Sequence, residues 1–343
     1  MKFTTILMFI SLFAPLKGLG ETKQQKLSLA WFGFSQITME AGDGLAKMAD
    51  KSDNGLRFGA DRVRFGFRGR YGNTFSKLQV DFNRNDISQV TAGMPEIIKD
   101  AEVGYTFGHV TSFKVGMYKT PMGMDFNTSG TKLDITKRGM EKALVLERSL
   151  GAMVSGREIG PGFGYDLGFF NPSTRSMAVD GGTAGDEYSY AFRGHYDRGK
   201  TIHAETSYGL SKAAGGAGTE DYSAWDAAAS YKSGQITLKS EYIAGKNIGG
   251  VDEDNQQVWF FHVGYQVTPM FEPVIRYYQG NTKPGGGNLS NTFVGLNVFL
   301  NPLERHTARI QLNYVVTGGN KDAWTGLGGV KDDTFLGQVQ FAF

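Results

Sequence analysis

The chain contains no cysteine, so neither a disulfide framework nor a thiolate metal site is open to it. Proline is scarce, at 9 of 343 residues. No segment beyond the first twenty residues approaches eighteen consecutive apolar positions, which excludes a transmembrane helix. An excess of one charge is also lacking. The formal net charge is +2, and 36 Lys plus Arg less Lys2 and Lys17 of the leader leaves 34, equal to the 34 Asp plus Glu. Global charge therefore selects no partner, nucleic acid included, and any ionic preference must come from where the charges sit.

What is present begins with a leader. Lys2 precedes an uncharged apolar run from Phe3 to Leu16, which closes on Gly18-Leu19-Gly20. This reads as a secretory signal peptide over 1–20, cut after Gly20, leaving one domain over 21–343. Gly is abundant at 48 residues and aromatics make up 13%, the composition of many strands joined by turns. The stretch Arg62-Val63-Arg64-Phe65-Gly66-Phe67-Arg68-Gly69-Arg70-Tyr71 alternates strictly. A strand sends successive side chains to opposite faces, so Val63, Phe65, Phe67 and Tyr71 share one face, and Arg62, Arg64, Arg68 and Arg70 share the other. In a membrane barrel the first face meets lipid and the second a wet lumen. The chain ends on Phe335, Gly337, Val339, Phe341 and Phe343 at alternate positions, similar to the final strand of bacterial outer-membrane barrels.

Period-2 segments fall at 26–36, 57–71, 75–85, 97–107, 112–118, 155–163, 165–171, 188–197, 201–211, 222–231, 235–244, 256–266, 271–280, 290–300, 307–317 and 333–343. They predict an all-β fold, a 16-stranded antiparallel transmembrane β-barrel. Links alternate short and long, as periplasmic turns and outer loops do. The longer links carry many acids, among them Asp43, Asp180, Asp252 and Asp332, so the outer rim is expected to be acidic. Around Arg198-Gly199-Lys200, facing residues must share a side of the sheet. A three-residue loop satisfies this by pairing Asp197 with Thr201, His195 with His203 and Arg193 with Glu205, and it predicts an Arg193–Glu205 pair on the lumen wall. The first strand, around Leu27, Leu29 and Trp31, is expected to close against the last.

Catalytic and metal chemistry find little support. Only His195 and His203 of the five histidines are expected as neighbours, and a metal would want a third ligand. No Ser, His and acid spacing points to a hydrolase. Gly160-Pro161-Gly162-Phe163-Gly164 lacks the lysine and helix of a phosphate-cradling loop and reads as a tight turn. The acids at 252–254 lack the spaced ligands of a calcium loop. No enzyme activity, cofactor or metal is expected.

The long link 119–154 has a character of its own. It opens Lys119-Thr120-Pro121-Met122-Gly123, reaches Leu146-Glu147-Arg148, and precedes Gly156-Arg157-Glu158-Ile159-Gly160. These motifs, with the leader, the strand count and the terminal phenylalanine, resemble the phosphate-selective porin family of the porin O and P type. The resemblance implies a trimeric outer-membrane barrel of a Gram-negative bacterium, set among lipid and lipopolysaccharide. Its third outer loop would fold inward, and its pore would be lined with Arg and Lys that pass small anions. It places Lys119 and Arg148 at the constriction and Arg62, Arg64, Arg68 and Arg70 on the wall as a ladder. Lys132 and Lys137 of the loop and Arg193 of the wall complete the candidate anion-lining set. Rings of Arg and Lys select anions, which points to passive diffusion of small hydrophilic solutes with anion preference, phosphate among them. Two alternatives stand beside this: a general, weakly selective porin in which Glu141 and Glu147 oppose the ladder, and a non-conducting structural or adhesin barrel.

Overall fold

A computed structural model describes residues 26–42, 55–83, 90–91, 94–95, 97–172, 188–212, 220–283 and 285–343. The leader and the acids Asp43, Asp50, Asp53, Asp180, Asp186 and Glu187 lie outside them. Among the described residues sixteen strands close into one antiparallel barrel. They are Ser28–Gly42 (β1), Gly55–Tyr71 (β2), Thr74–Asp81 (β3), Ile98–Phe107 (β4), Thr111–Lys119 (β5), Arg148–Gly160 (β6), Phe163–Phe170 (β7) and Ser189–Arg198 (β8). The second half comprises Ile202–Ser211 (β9), Tyr222–Ser233 (β10), Ile236–Lys246 (β11), Asn255–Tyr265 (β12), Phe271–Lys283 (β13), Asn288–Phe299 (β14), Ala308–Gly318 (β15) and Thr334–Ala342 (β16). Val90–Thr91 pairs with Met94–Pro95 as a small separate hairpin. No helix among the described residues is long and apolar enough to cross a membrane.

Each strand pairs with its neighbour in sequence, and closure pairs β1 with β16 from Phe34↔Ala342 to Gly42↔Thr334. The terminal residue extends this ladder: Phe343 and Gly33 exchange backbone bonds of 3.0 and 3.1 Å. Closure thus starts at Gly33, and Leu29 and Trp31 pair with β2 alone. Closing the sheet removes the unpaired edge that would otherwise recruit another chain.

The alternation places apolar side chains outward, where Trp31, Phe58, Phe65, Tyr71, Tyr208, Trp259 and Tyr314 are exposed. Trp31 stacks on Phe65 with ring centroids 5.4 Å apart, an offset aromatic pair on that outer face. Polar side chains point inward and are mostly buried, including Gln36, Asn297, Gln311, Gln338 and Gln340. One bulge resets the pattern. The β1–β2 register shifts between Gln36↔Arg62 and Ile37↔Ala60, which leaves Asp61 unpaired in the ladder. Below it Leu56 and Phe58 face outward and Arg57 turns inward to Glu40 at 2.5 Å.

Among the boundaries that depart from the sequence reading, three shape the lining. β1 runs on to Gly42, and β6 begins at Arg148, because Arg148 pairs directly with Lys119 and so zips the base of the long link. The turn expected at Gly164 sits at Pro161-Gly162, with Gly162 at φ 83° and Gly164 already paired with His195 in the β7–β8 ladder. The β8–β9 register is also corrected. Its loop is Gly199-Lys200-Thr201, and the pairs are Arg198↔Ile202, Asp197↔His203, His195↔Glu205 and Arg193↔Ser207. Gly199 adopts φ 59°, and a left-handed residue in a three-residue hairpin loop allows β8 to continue one residue further. Parity survives because the shift is two residues in pairing. Arg193 consequently meets Glu205 on the diagonal, at 3.7 Å.

Candidate pore lining

The segment 120–147 is bound to lumen-facing side chains of β10, β14, β15, β16 and β1. Gln36 of β1 donates to the Gly130 carbonyl at 2.9 Å, and Arg309 and Gln311 of β15 donate to that of Leu133. Asn297 of β14 donates to the Asp134 carbonyl at 3.0 Å, Gln338 of β16 donates to that of Thr136, and Tyr222 of β10 donates to that of Leu144. The segment has little regular structure of its own beyond one turn of helix at Met124–Asn127 and short 3-10 turns. Amides and guanidinium groups on the wall satisfy carbonyls that a buried irregular segment would otherwise leave bare.

Its apolar side chains pack to one side. Met122, Met124, Phe126, Ile135, Met140, Leu144, Val145 and Leu146 join Tyr222, Ile243, Val258, Phe260, Tyr278, Phe293 and Val315 of the wall in one buried cluster. Gly139 permits the closest approach, since a Cβ there would stand 2.2 Å from the Tyr278 ring. The half of the lumen beside β10–β15 is therefore filled, and open space is left beside β1–β8.

Charge follows the same division. Facing the filled side, Asp134 lies 2.6 Å from Lys239 and 2.9 Å from Arg276, and Asp125 lies 3.3 Å from Arg276. Burial opposes ionisation of Asp134, but Lys239, His262 and Arg276 outweigh it and hold the carboxyl well below its ordinary range. Glu141 is fully buried there. Desolvation, with the nearby Asp125 charge adding to it, pushes its carboxyl up to about 7. Facing the open side are Lys119, at the end of β5, and Lys137 and Arg138 of the segment. Lys119 donates to the carbonyls of Phe126 and Thr128, Arg138 donates to those of Asp125 and Thr128, and Lys137 pairs with Glu40. Burial lowers the Arg138 guanidinium below its ordinary value; Asp125 offsets part of this, while Arg148 and Arg64 add to it. Like charges are thus crowded at this point.

These cations line two cavities. One of about 380 Å³, on the long-loop side, is lined by Asp61, Arg62, Lys137, Arg138, Lys142 and the 327–329 backbone. The other, of about 480 Å³, opens towards the short turns. Its charged lining is Arg64, Arg68, Lys77, Lys114, Lys119, Arg148, Arg157 and Arg193, against Asp100 and Glu102. Several of these cations are paired: Arg64 with Asp81 at 2.9 Å, Lys77 and Arg148 with Asp100 at 2.5 and 3.1 Å, and Lys114 with Glu102 at 2.6 Å. Arg157 and Arg193 share Asp166. Counting Asp81, Asp166 and Glu205 behind the wall, cations still outnumber carboxylates eight to five.

The candidate residues divide accordingly. Arg62 and Lys137 line the first cavity, and Arg64, Arg68, Lys119, Arg148 and Arg193 line the second. Arg70 is exposed beside the Gly72 turn and Lys132 is exposed on the segment, and neither lines either cavity. Sequence reasoning did not place Arg57, Arg138 or Arg157 in the lining. Period 2 carried through Ser155 would have found Arg157, whereas Arg57 is inward only because of the Asp61 bulge. The inward acids Glu40, Asp166 and Asp226 were also missed.

A family model described as phosphate-selective porin O and P matches residues 36–214. Among solved structures, the chain is similar to an anion-selective porin from Comamonas acidovorans (15% identity, TM-score 0.68, covering 93% of this chain and 100% of that one). It is also similar to OmpF of Salmonella typhi (12%, 0.65, 92% and 97%) and to the outer-membrane channel DcaP of Acinetobacter baumannii (13%, 0.59, 92% and 97%). Among curated protein sequences none matches.

Proposed function

The chain belongs to the phosphate-selective porin O and P family, and from that premise we propose that it is an anion-preferring diffusion channel for small hydrophilic solutes, phosphate among them. The family and the closed sixteen-stranded barrel are those of a channel in the Gram-negative outer membrane. The observation that carries the preference is the lining of the larger cavity, where eight Arg and Lys face two carboxylates. The neighbour from Comamonas acidovorans bears the name anion-selective; at 15% identity that likeness speaks for the fold, and the preference rests on the lining. Low-dielectric walls focus such a field, and guanidinium groups suit oxyanions through two parallel hydrogen bonds.

One feature separates this reading from a weakly selective porin. Three of the segment's acids do not oppose the arginine ladder: Asp125 and Asp134 are held by Arg276 and Lys239 on the far wall, and Glu141 is buried with them; Glu147 lies 3.7 Å from Lys142. The ion pairs along β2–β6 favour the weaker alternative, because each carboxylate cancels part of the field. Passive diffusion needs no catalytic group, so the candidate residues act as a charged lining and not as an enzyme site. We also propose a homotrimer, on family membership; an unboiled gel band at three times the boiled mass is the expected result.

Reversal potential across a bilayer with a chloride gradient tests the function. The expected sign is that of anion flow, and saturable block of chloride current by added phosphate would place phosphate among the bound solutes. A cation-selective or near-zero potential overturns the preference, and absence of conductance favours a structural barrel.

A further inference from the structure

We propose that His195, Asp197 and His203 form a binding site for a divalent late first-row transition metal ion, Zn²⁺ being representative, on the lumen wall at the short-turn end. The β8–β9 register carries the idea. Pairing Asp197 with His203, rather than with Thr201, turns one carboxylate into a bridge between two imidazoles. Asp197 Oδ2 lies 3.0 Å from His195 Nδ1, and Asp197 Oδ1 lies 2.7 Å from His203 Nδ1. One ligand atom from each of the three residues falls within 4.8 Å of the others. The rings of His195 and His203 are stacked with centroids 6.1 Å apart.

The surroundings favour an ion at this point. His203 Nε2 stands 2.8 Å from Glu205 Oε2, so a proton kept on Nε2 has an acceptor there while Nδ1, on the Asp197 side, exchanges its own proton for an ion. A carboxylate accepting from the second nitrogen of an imidazole is also the outer-shell arrangement that orients metal-binding histidines. Glu205 is in turn steadied by Arg193 at 3.7 Å. Gly164, on the adjacent strand, leaves room for the His195 ring, since a Cβ there would come within 2.4 Å of Nε2. Two nitrogens and one carboxylate, with a fourth position open to the lumen, suit Zn²⁺, Co²⁺, Ni²⁺ or Cu²⁺; Ca²⁺ and Mg²⁺ prefer all-oxygen shells. Bonds of about 2.0 Å in a tetrahedron separate ligand atoms by roughly 3.3 Å; the two Asp197–imidazole contacts would open slightly from 3.0 and 2.7 Å, and the set, already within 4.8 Å, would close around the ion. The side chain of Asp197 is 43% exposed and that of His203 27%, which gives an ion a way in from the lumen. A bound ion would add two positive charges to the wall beside Arg193.

The test is titration of Co²⁺ into the tag-free, refolded full-length barrel near neutral pH. The expected result is one ion per chain with the intense visible absorption of a tetrahedral site, displaced by Zn²⁺ and untouched by Ca²⁺. The double variant His195→Gln with His203→Gln should lose binding by more than 100-fold, and Glu205→Gln should weaken it roughly 10- to 100-fold. Equal binding by wild type and the double variant, or no saturable binding by wild type, overturns the site. Should the double variant fail to refold, the wild-type spectrum decides, because the pale absorption of an octahedral, water- and oxygen-bound ion would exclude imidazole ligation.

Discussion

Arg68 stands 4.3 Å over the Phe32 ring, and no carboxylate pairs with it among the described residues. It lines the larger cavity, where Arg64, the other ladder residue, is paired with Asp81. Arg68→Glu should therefore move the reversal potential towards cations by more than Lys232→Glu, which alters an exposed residue beside a short turn. Lys119→Glu should also exceed Lys232→Glu, and should loosen the segment as well, because its amine holds the Phe126 and Thr128 carbonyls. Equal shifts from all three would place the constriction elsewhere. Glu141 makes a prediction of the opposite kind. Its carboxyl is raised from 4.5 to about 7 in the folded chain, so the fold binds its proton more tightly than the unfolded chain does. Stability from this group is present below pH 4.5 and is lost as pH rises towards 7. At 1.36 kcal/mol per unit the loss is about 3 kcal/mol. Urea titrations of wild type and Glu141→Gln should converge near pH 4 and diverge by neutral pH, with the variant the more stable.

At the scale of the element, the 120–147 segment is positioned by the wall more than by its own conformation. Arg276 is the main clamp, fully buried and in contact with both Asp125 and Asp134. Removing one partner of a buried pair leaves an uncompensated charge, at a cost of roughly 3–5 kcal/mol. Arg276→Met should thus release the segment while the barrel still closes. Limited proteolysis should then cut within 120–147, and single-channel conductance should become larger or noisier. A variant as protease-resistant and quiet as wild type would mean that the apolar cluster alone seats the segment. The charged segment was legible in the sequence as an unusually long link carrying Lys119, Lys132, Lys137 and Arg148. Which of its charges face the solute was not, because a segment without periodicity has no face until it has a wall to lie on.

Across the whole molecule the lining acts as one field. Each of its ion pairs is local, and what remains is the surplus of Arg and Lys summed over β2–β8. Screening length falls from about 10 Å at 0.1 M salt to about 3 Å at 1 M, shorter than the span of such a lining. Anion selectivity should accordingly decline as salt is raised over that range at a constant concentration ratio. Selectivity unaffected by salt would instead indicate a single desolvated binding site at the narrowest point.

The strand pattern, the number of strands, the outward aromatic face and the identity of the ladder at 62–70 were determined by the sequence alone. Period 2 is a local property of the extended backbone, and each strand states its own two faces. Only the tertiary structure decided the rest: the bulge that turns Arg57 inward, the register that brings Asp197 between His195 and His203, and the side of the lumen that 120–147 fills. These depend on pairing between residues distant in sequence, and parity restricts such pairing to alternate registers without choosing among them. The arginine ladder was readable from ten residues, whereas the pairing of each cation with a particular acid became visible only once the strands stood side by side.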